Sequence, residues 1–129
     1  MNIDDILWRL AQLASLPFQE RYIISATESE YFLDTELLEN VDGLKYLLKI
    51  EENRNLVNRD QIVALEELFS FIENSSGEAL SAGSREEGAL IIREGAVWKS
   101  LREKASYALS LFDFSVEKMT AEEVNNLVN

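Results

Sequence analysis

Ser100 and Lys104 stand four residues apart, a spacing that puts hydroxyl and amine on one face of a helix. A lysine there could serve as general base toward the serine, but only if burial lowered its pKa. The neighbours Lys99, Arg102 and Glu103 give no such burial, so the pair reads as part of an exposed polar face. Adjacent carboxylates occur at Glu66-Glu67, Glu86-Glu87 and Glu122-Glu123. Consecutive helical residues point about 100° apart, and helical di-metal sites use Glu-x-x-His. The chain has no histidine. The glutamate pairs therefore read as solvated faces or as partners for the positive end of a helix dipole. Without histidine or cysteine, a His-dependent triad, a thiolate metal site and a disulfide are all excluded. No loop resembles an EF-hand, and neither GxxxxGK[ST] nor GxGxxG occurs. No catalytic residue, metal or cofactor is expected, and the chain reads as a non-enzyme.

One cluster points to recognition instead. Between Glu28 and Asp42 lie six acids and no base, with Tyr31 and Phe32 inside the run. Carboxylates steer a basic protein toward a surface, and aromatic side chains anchor it there. The candidate partner-binding residues are Glu28, Glu30, Tyr31, Asp34, Glu36, Glu39 and Asp42. The competing reading makes Tyr31 and Phe32 core residues and leaves the acids merely facing water. The chain as a whole carries 24 acids and 12 bases, a formal net charge of −12. Residues 1–80 hold 16 of the acids and 6 of the bases. Such a surface repels nucleic acid and anionic membranes and attracts basic proteins, although acidity also serves solubility alone. Arg93, Lys99, Arg102 and Lys104 are interleaved with Glu94 and Glu103, which predicts a salt-bridged face.

Helices must position these residues. Apolar residues make up 47% of 129, enough for one real core, and a single proline with five glycines leaves too few turns for an all-β domain. Ile3, Ile6, Leu7, Leu10 and Leu13 predict a helix over about Asp4–Ser15, capped by Asn2. Pro17 opens a second segment to about Ser25. Tyr22–Ile24 and Tyr31–Leu33 are rich in aromatic and β-branched residues, so residues 22–33 are open between helix and a short hairpin. Thr35 is expected to cap Glu36–Val41, with Asp42-Gly43 as a stop and Leu44, Leu47 and Leu48 in a further helical stretch. Glu51–Asn55 reads as a loop.

Asn58 or Asp60 caps a helix over about Arg59–Glu73, with Ile62, Leu65, Leu68, Phe69 and Ile72 on its buried stripe. Glu78–Ser84 is small and polar and reads as a mobile loop, a second candidate contact. The longest helix is expected within Glu86–Phe112, where Gly88 and Gly95 weaken the first part, so that it begins late or breaks near Gly95. Val97, Trp98, Leu101, Ala105, Ala108, Leu109 and Phe112 form its inner face, with Trp98 the safest core residue. Thr120 and Glu123 form a capping box for a terminal helix through about Leu127. The expected architecture is all-α, one domain over residues 1–129, an irregular bundle of five to seven helices. The N-terminus lacks a basic region followed by an apolar run, and no window approaches the roughly 18 apolar residues of a membrane span, so the expected location is the cytoplasm.

Leu16-Pro17-Phe18-Gln19-Glu20-Arg21-Tyr22, Thr27-Glu28-Ser29-Glu30-Tyr31-Phe32-Leu33 and Val97-Trp98-Lys99-Ser100-Leu101-Arg102-Glu103-Lys104-Ala105 resemble stretches of immunity proteins from bacterial contact-dependent growth inhibition and related polymorphic-toxin systems. The resemblance covers about a third of the chain and includes no diagnostic motif. It implies a cytoplasmic inhibitor that binds one cognate toxin domain, often a basic nuclease. The alternative is a non-catalytic helical adaptor that joins other proteins in a complex.

Overall fold

A computed structural model describes residues 1–75, 77–80 and 86–128. Among them the chain is all-α, with no strand. Five helices have nine or more residues: α1 Ile3–Ala14, α3 Asp34–Asp42, α6 Arg59–Asn74, α8 Glu86–Glu94 and α9 Ala96–Ser110. Shorter helices join them, α2 Leu16–Gln19, α4 Leu44–Leu47, α5 Glu51–Arg54 and α7 Gly77–Leu80, and α10 Ala121–Asn125 follows the last. A π-helical turn, Glu20–Ile24, continues α2, and a 3₁₀ turn, Asn126–Val128, continues α10.

Short-range chemistry sets most helix starts. The Asn2 carboxamide accepts from Asp5 N–H at 3.2 Å, and the Asp5 carboxylate accepts from Asn2 N–H at 2.8 Å. The same reciprocal box forms between Asn58 and Gln61, at 2.8 and 2.9 Å, and between Thr120 and Glu123, at 3.2 Å each way. Asn58, rather than Asp60, is therefore the cap of α6. Ser15 serves two helices at one corner: its N–H donates to Ala11 C=O as α1 ends, and its hydroxyl accepts from Phe18 N–H as α2 begins. Pro17 fits the first turn of α2, where no N–H is needed.

The core lies around α1, which packs most extensively on α9 and also contacts α3 and α10. Ile6, Leu10 and Leu13 of α1 meet a layer containing Trp98, Leu101 and Leu109 of α9, all fully buried. Ala11, Ala105 and Ala108 are also at 0% exposure, and their small size lets helix backbones approach closely. Leu37 and Val41 of α3 and Leu65 and Leu68 of α6 complete the interior. Trp98 is the largest fully buried side chain, as its i+3 and i+7 neighbours implied.

Four expectations are corrected. Thr35 is not the cap of α3; the helix starts two residues before the expected Glu36, at Asp34, and the Glu36 carboxylate accepts from the N–H of Leu33 at 3.4 Å. Glu51–Arg54 is helical rather than loop, because Asn53 is buried and donates from its carboxamide to Leu47 C=O at 2.8 Å. The longest helix is not within Glu86–Phe112: the break occurs at Gly95, as its glycine suggested, and leaves α9 with 15 residues against 16 for α6. A Cβ on Gly95 would stand 2.4 Å from the Ile91 carbonyl oxygen, so glycine is required by close approach. The expected loop Glu78–Ser84 begins inside α7, whose Leu80 packs on the core, while positions 81–84 lie outside the described residues.

Candidate partner-binding surface

Residues 25–33 fold back over the π turn. Phe32 N–H donates to Tyr22 C=O at 2.8 Å, and Thr27 N–H donates to Glu30 C=O at 3.0 Å while its hydroxyl accepts from Glu30 N–H at 3.1 Å. The hairpin alternative thus appears as one cross-chain bond without a ladder. Phe32 seats against Phe18 and Tyr22, with ring centres 5.2 and 5.8 Å away, and Phe18 and Tyr22 lie 4.9 Å apart. In extended backbone, successive side chains point to opposite sides. Phe32 inward therefore leaves Tyr31 and Leu33 outward, 58% and 52% exposed. The adjacent aromatics that sequence alone treats as one unit are split: Phe32 packs, and Tyr31 is surface.

The acidic run divides as well. Glu28 and Glu39 are exposed. Glu30 is exposed and pairs with Arg21 at 3.5 Å. Arg21 also pairs with Glu122 of α10, which ties the segment 25–33 to the C-terminal turn and adds a carboxylate absent from the expected set. Asp34 is 7% exposed and so does not face a partner. Glu36 is half-buried with its carboxylate turned to the Leu33 N–H, and Asp42 pairs with Lys45 at 3.3 Å. The exposed constellation is thus Glu28, Glu30, Tyr31 and Leu33, with Glu122 joined through Arg21. Glu39 lies further along α3. Nothing in local spacing linked Glu122 to Glu30, because the link runs through a third side chain.

The basic face expected around α9 is also rearranged. Lys99 pairs with Glu94 at 3.9 Å, but Arg93 turns to Glu20, with two hydrogen bonds of 2.7 Å. Those bonds hold the Glu20 carboxyl below the usual glutamate range, against a smaller opposing effect of burial. Arg102 reaches the fully buried Gln19: its guanidinium donates to Gln19 Oε1 at 3.0 Å, Ile92 C=O at 2.7 Å and Arg93 C=O at 3.3 Å. Gln19 in turn donates to the Gln12 and Leu13 carbonyls at 3.1 and 2.8 Å. Burial pushes the Arg102 guanidinium down from its ordinary value, yet an arginine stays charged at neutral pH. These are packing roles that lock α2, α8 and α9 together.

Lys104 lies over the Phe71 ring at 5.2 Å, and no hydrogen bond joins it to Ser100 among the described residues. Glu66, Glu67 and Glu103 line shallow depressions beside Val63, Phe71 and Tyr107 on the α6–α9 side. Among the described residues, no three acidic side chains converge as a metal site requires, and no helix is long and apolar enough to cross a membrane. No protein-family model, curated protein or solved structure matches the chain.

Proposed function

We propose that this chain is a non-enzymatic immunity protein, a cytoplasmic inhibitor that binds and neutralises a basic toxin domain such as a nuclease. The observation that carries the reading is Tyr31 and Leu33 standing exposed beside Glu28 and Glu30, with Glu122 linked to the same segment by Arg21. A nuclease presents a positive cleft to its substrate. Carboxylates compete for that cleft with phosphate and raise the encounter rate, while an aromatic and an aliphatic side chain supply the buried contact that slows release. The resemblance of Leu16–Tyr22, Thr27–Leu33 and Val97–Ala105 to immunity proteins supports the same reading.

The test begins with the toxin domain encoded beside this chain in its genome. Coexpression should restore growth, and the two proteins should co-elute. Failure of both, or the lack of any such neighbour, removes the reading and leaves an adaptor role. Given a complex, Glu28→Gln, Glu30→Gln and Glu39→Gln together should slow association and flatten its salt dependence. Tyr31→Ala should speed dissociation, and because the ring is exposed, it should shift fold stability by no more than about 0.5 kcal/mol. Unchanged kinetics in both variants would remove this segment from the interface.

A further inference from the structure

A cavity of about 190 Å³ lies where α4, α5 and α6 meet. Leu48 and Phe69, both buried, and half-buried Ile62 supply its apolar lining, while Lys49 and Arg54 stand exposed at its wall. Lys45 lines it too, but its charge is already matched by Asp42 at 3.3 Å. Lys49 and Arg54 have no carboxylate within pairing distance among the described residues, in a chain with twice as many acids as bases. The Tyr46 ring carries both neighbouring ammonium groups, Lys45 at 5.4 Å and Lys49 at 5.2 Å from its centre. That contact holds the Lys49 ammonium near Tyr46 without neutralising it. Arg54 and Lys49 also line a second depression, with Glu51, Asn55 and Ile62, so the two cations form the shared edge of both.

This arrangement is the reverse of the acidic surface proposed for toxin binding, and it selects a different ligand. A guanidinium fork beside an ammonium group recognises a carboxylate by two parallel hydrogen bonds and a point charge. The Glu66 carboxylate, on the α6 side of the cavity, disfavours a doubly charged phosphate. The volume of the apolar cavity lies below the roughly 300 Å³ at which sites for drug-sized ligands begin, which suits a small ligand body. We propose that this cavity binds a monocarboxylate carrying a short apolar body, with the carboxylate on Arg54 and Lys49 and the apolar part on Leu48, Ile62 and Phe69. Two sources share that chemistry: a free short-chain carboxylic acid, and the C-terminal residue of a polypeptide.

Titration of the full chain, followed by amide resonances in ¹H–¹⁵N spectra, tests the proposal with three probes. Hexanoate represents the free acid and N-acetyl-leucine a chain terminus. N-acetyl-leucinamide keeps the apolar body of the latter without the charge. Both carboxylates should give saturable shifts centred on residues 48, 49, 54, 62 and 69, with the neutral amide at least about tenfold weaker, the loss of one charge-assisted contact. Tighter binding of N-acetyl-leucine assigns the site to a chain terminus, and tighter binding of hexanoate assigns it to a free acid. Equal binding leaves the shared chemistry standing. Arg54→Gln should weaken both carboxylates about tenfold and leave the amide unchanged, while Arg54, being exposed, leaves the melting temperature unaltered. Non-saturating or scattered shifts, an amide that binds as well as its acid, or an Arg54→Gln variant with unchanged affinity would each overturn the proposal.

Discussion

Gly95 separates α8 from α9 through one missing atom. Its backbone angles, φ −63° and ψ 135°, are open to any residue, so conformational freedom is not the reason for glycine. The reason is the Ile91 carbonyl oxygen, which any Cβ would meet at 2.4 Å. Gly95→Ala must displace the last turn of α8, and should cost about 1–3 kcal/mol, the usual range where added atoms force a backbone shift, read as a lower urea midpoint with unchanged slope. Gln12 poses the opposite case. Its side-chain amide is buried, and among the described residues neither its oxygen nor its nitrogen finds a hydrogen-bond partner, while its backbone carbonyl is served by Gln19. An unsatisfied buried polar group costs about 1–3 kcal/mol, and methionine has similar length without the amide. Gln12→Met should therefore raise the melting temperature. A fall would mean that the amide makes contacts worth more than its desolvation.

Helices α2, α8 and α9 meet at a corner held by Gln19, Glu20, Arg93 and Arg102. The Glu20–Arg93 pair contributes in a definite pH window. Because the folded carboxyl titrates below its ordinary range, the pair stabilises the fold once the glutamate is ionised in both states, above roughly pH 5, and loses that contribution as pH falls through the folded value. Arg93→Gln should thus melt earlier than the parent at pH 7, with the gap closing as pH falls through the lowered folded value, below which both forms hold a protonated glutamate. A gap independent of pH would assign the effect to packing.

The same corner shows what a sequence can and cannot disclose. The box at Thr120 was legible because cap and partner lie three residues apart and chemistry alone pairs them; at Asn2 the cap alone was legible, and at the start of α6 Asn58 stood beside Asp60 as an alternative. The break at Gly95 was legible because glycine disfavours a helix interior. Arg102 and Gln19 are 83 residues apart, and no local pattern marks a buried glutamine as an arginine's acceptor. Helix α5 was missed for a related reason: its polar residues look like a loop until Asn53 is seen buried against Leu47 C=O. Tyr31 and Phe32 were legible as an aromatic pair but not as one surface and one packed ring, because that split depends on the backbone turning back to Tyr22.

Salt should move two whole-chain properties in opposite directions. A net charge of −12 on a chain this size makes the folded state repel itself, since folding brings the carboxylates closer than the extended chain does. The ion pairs between Arg21, Glu30 and Glu122, and between Lys99 and Glu94, oppose that repulsion, but these side chains are largely exposed, and exposed pairs weigh little. Repulsion summed over the acidic excess should therefore dominate. Adding salt shortens the Debye length from about 14 Å at roughly 0.05 M to about 4 Å at roughly 0.5 M, so the melting temperature of the free chain should rise over that range. Association with a basic partner draws on the same field with the opposite sign, and its rate should fall about tenfold or more. Thermal melts and stopped-flow association measured in the same buffers decide between the contributions. A melting temperature that falls with salt would show that the ion pairs outweigh the repulsion. An association rate indifferent to salt would mean that the acidic surface keeps the chain soluble without steering a partner, and recognition would then rest on apolar contacts such as Tyr31 and Leu33.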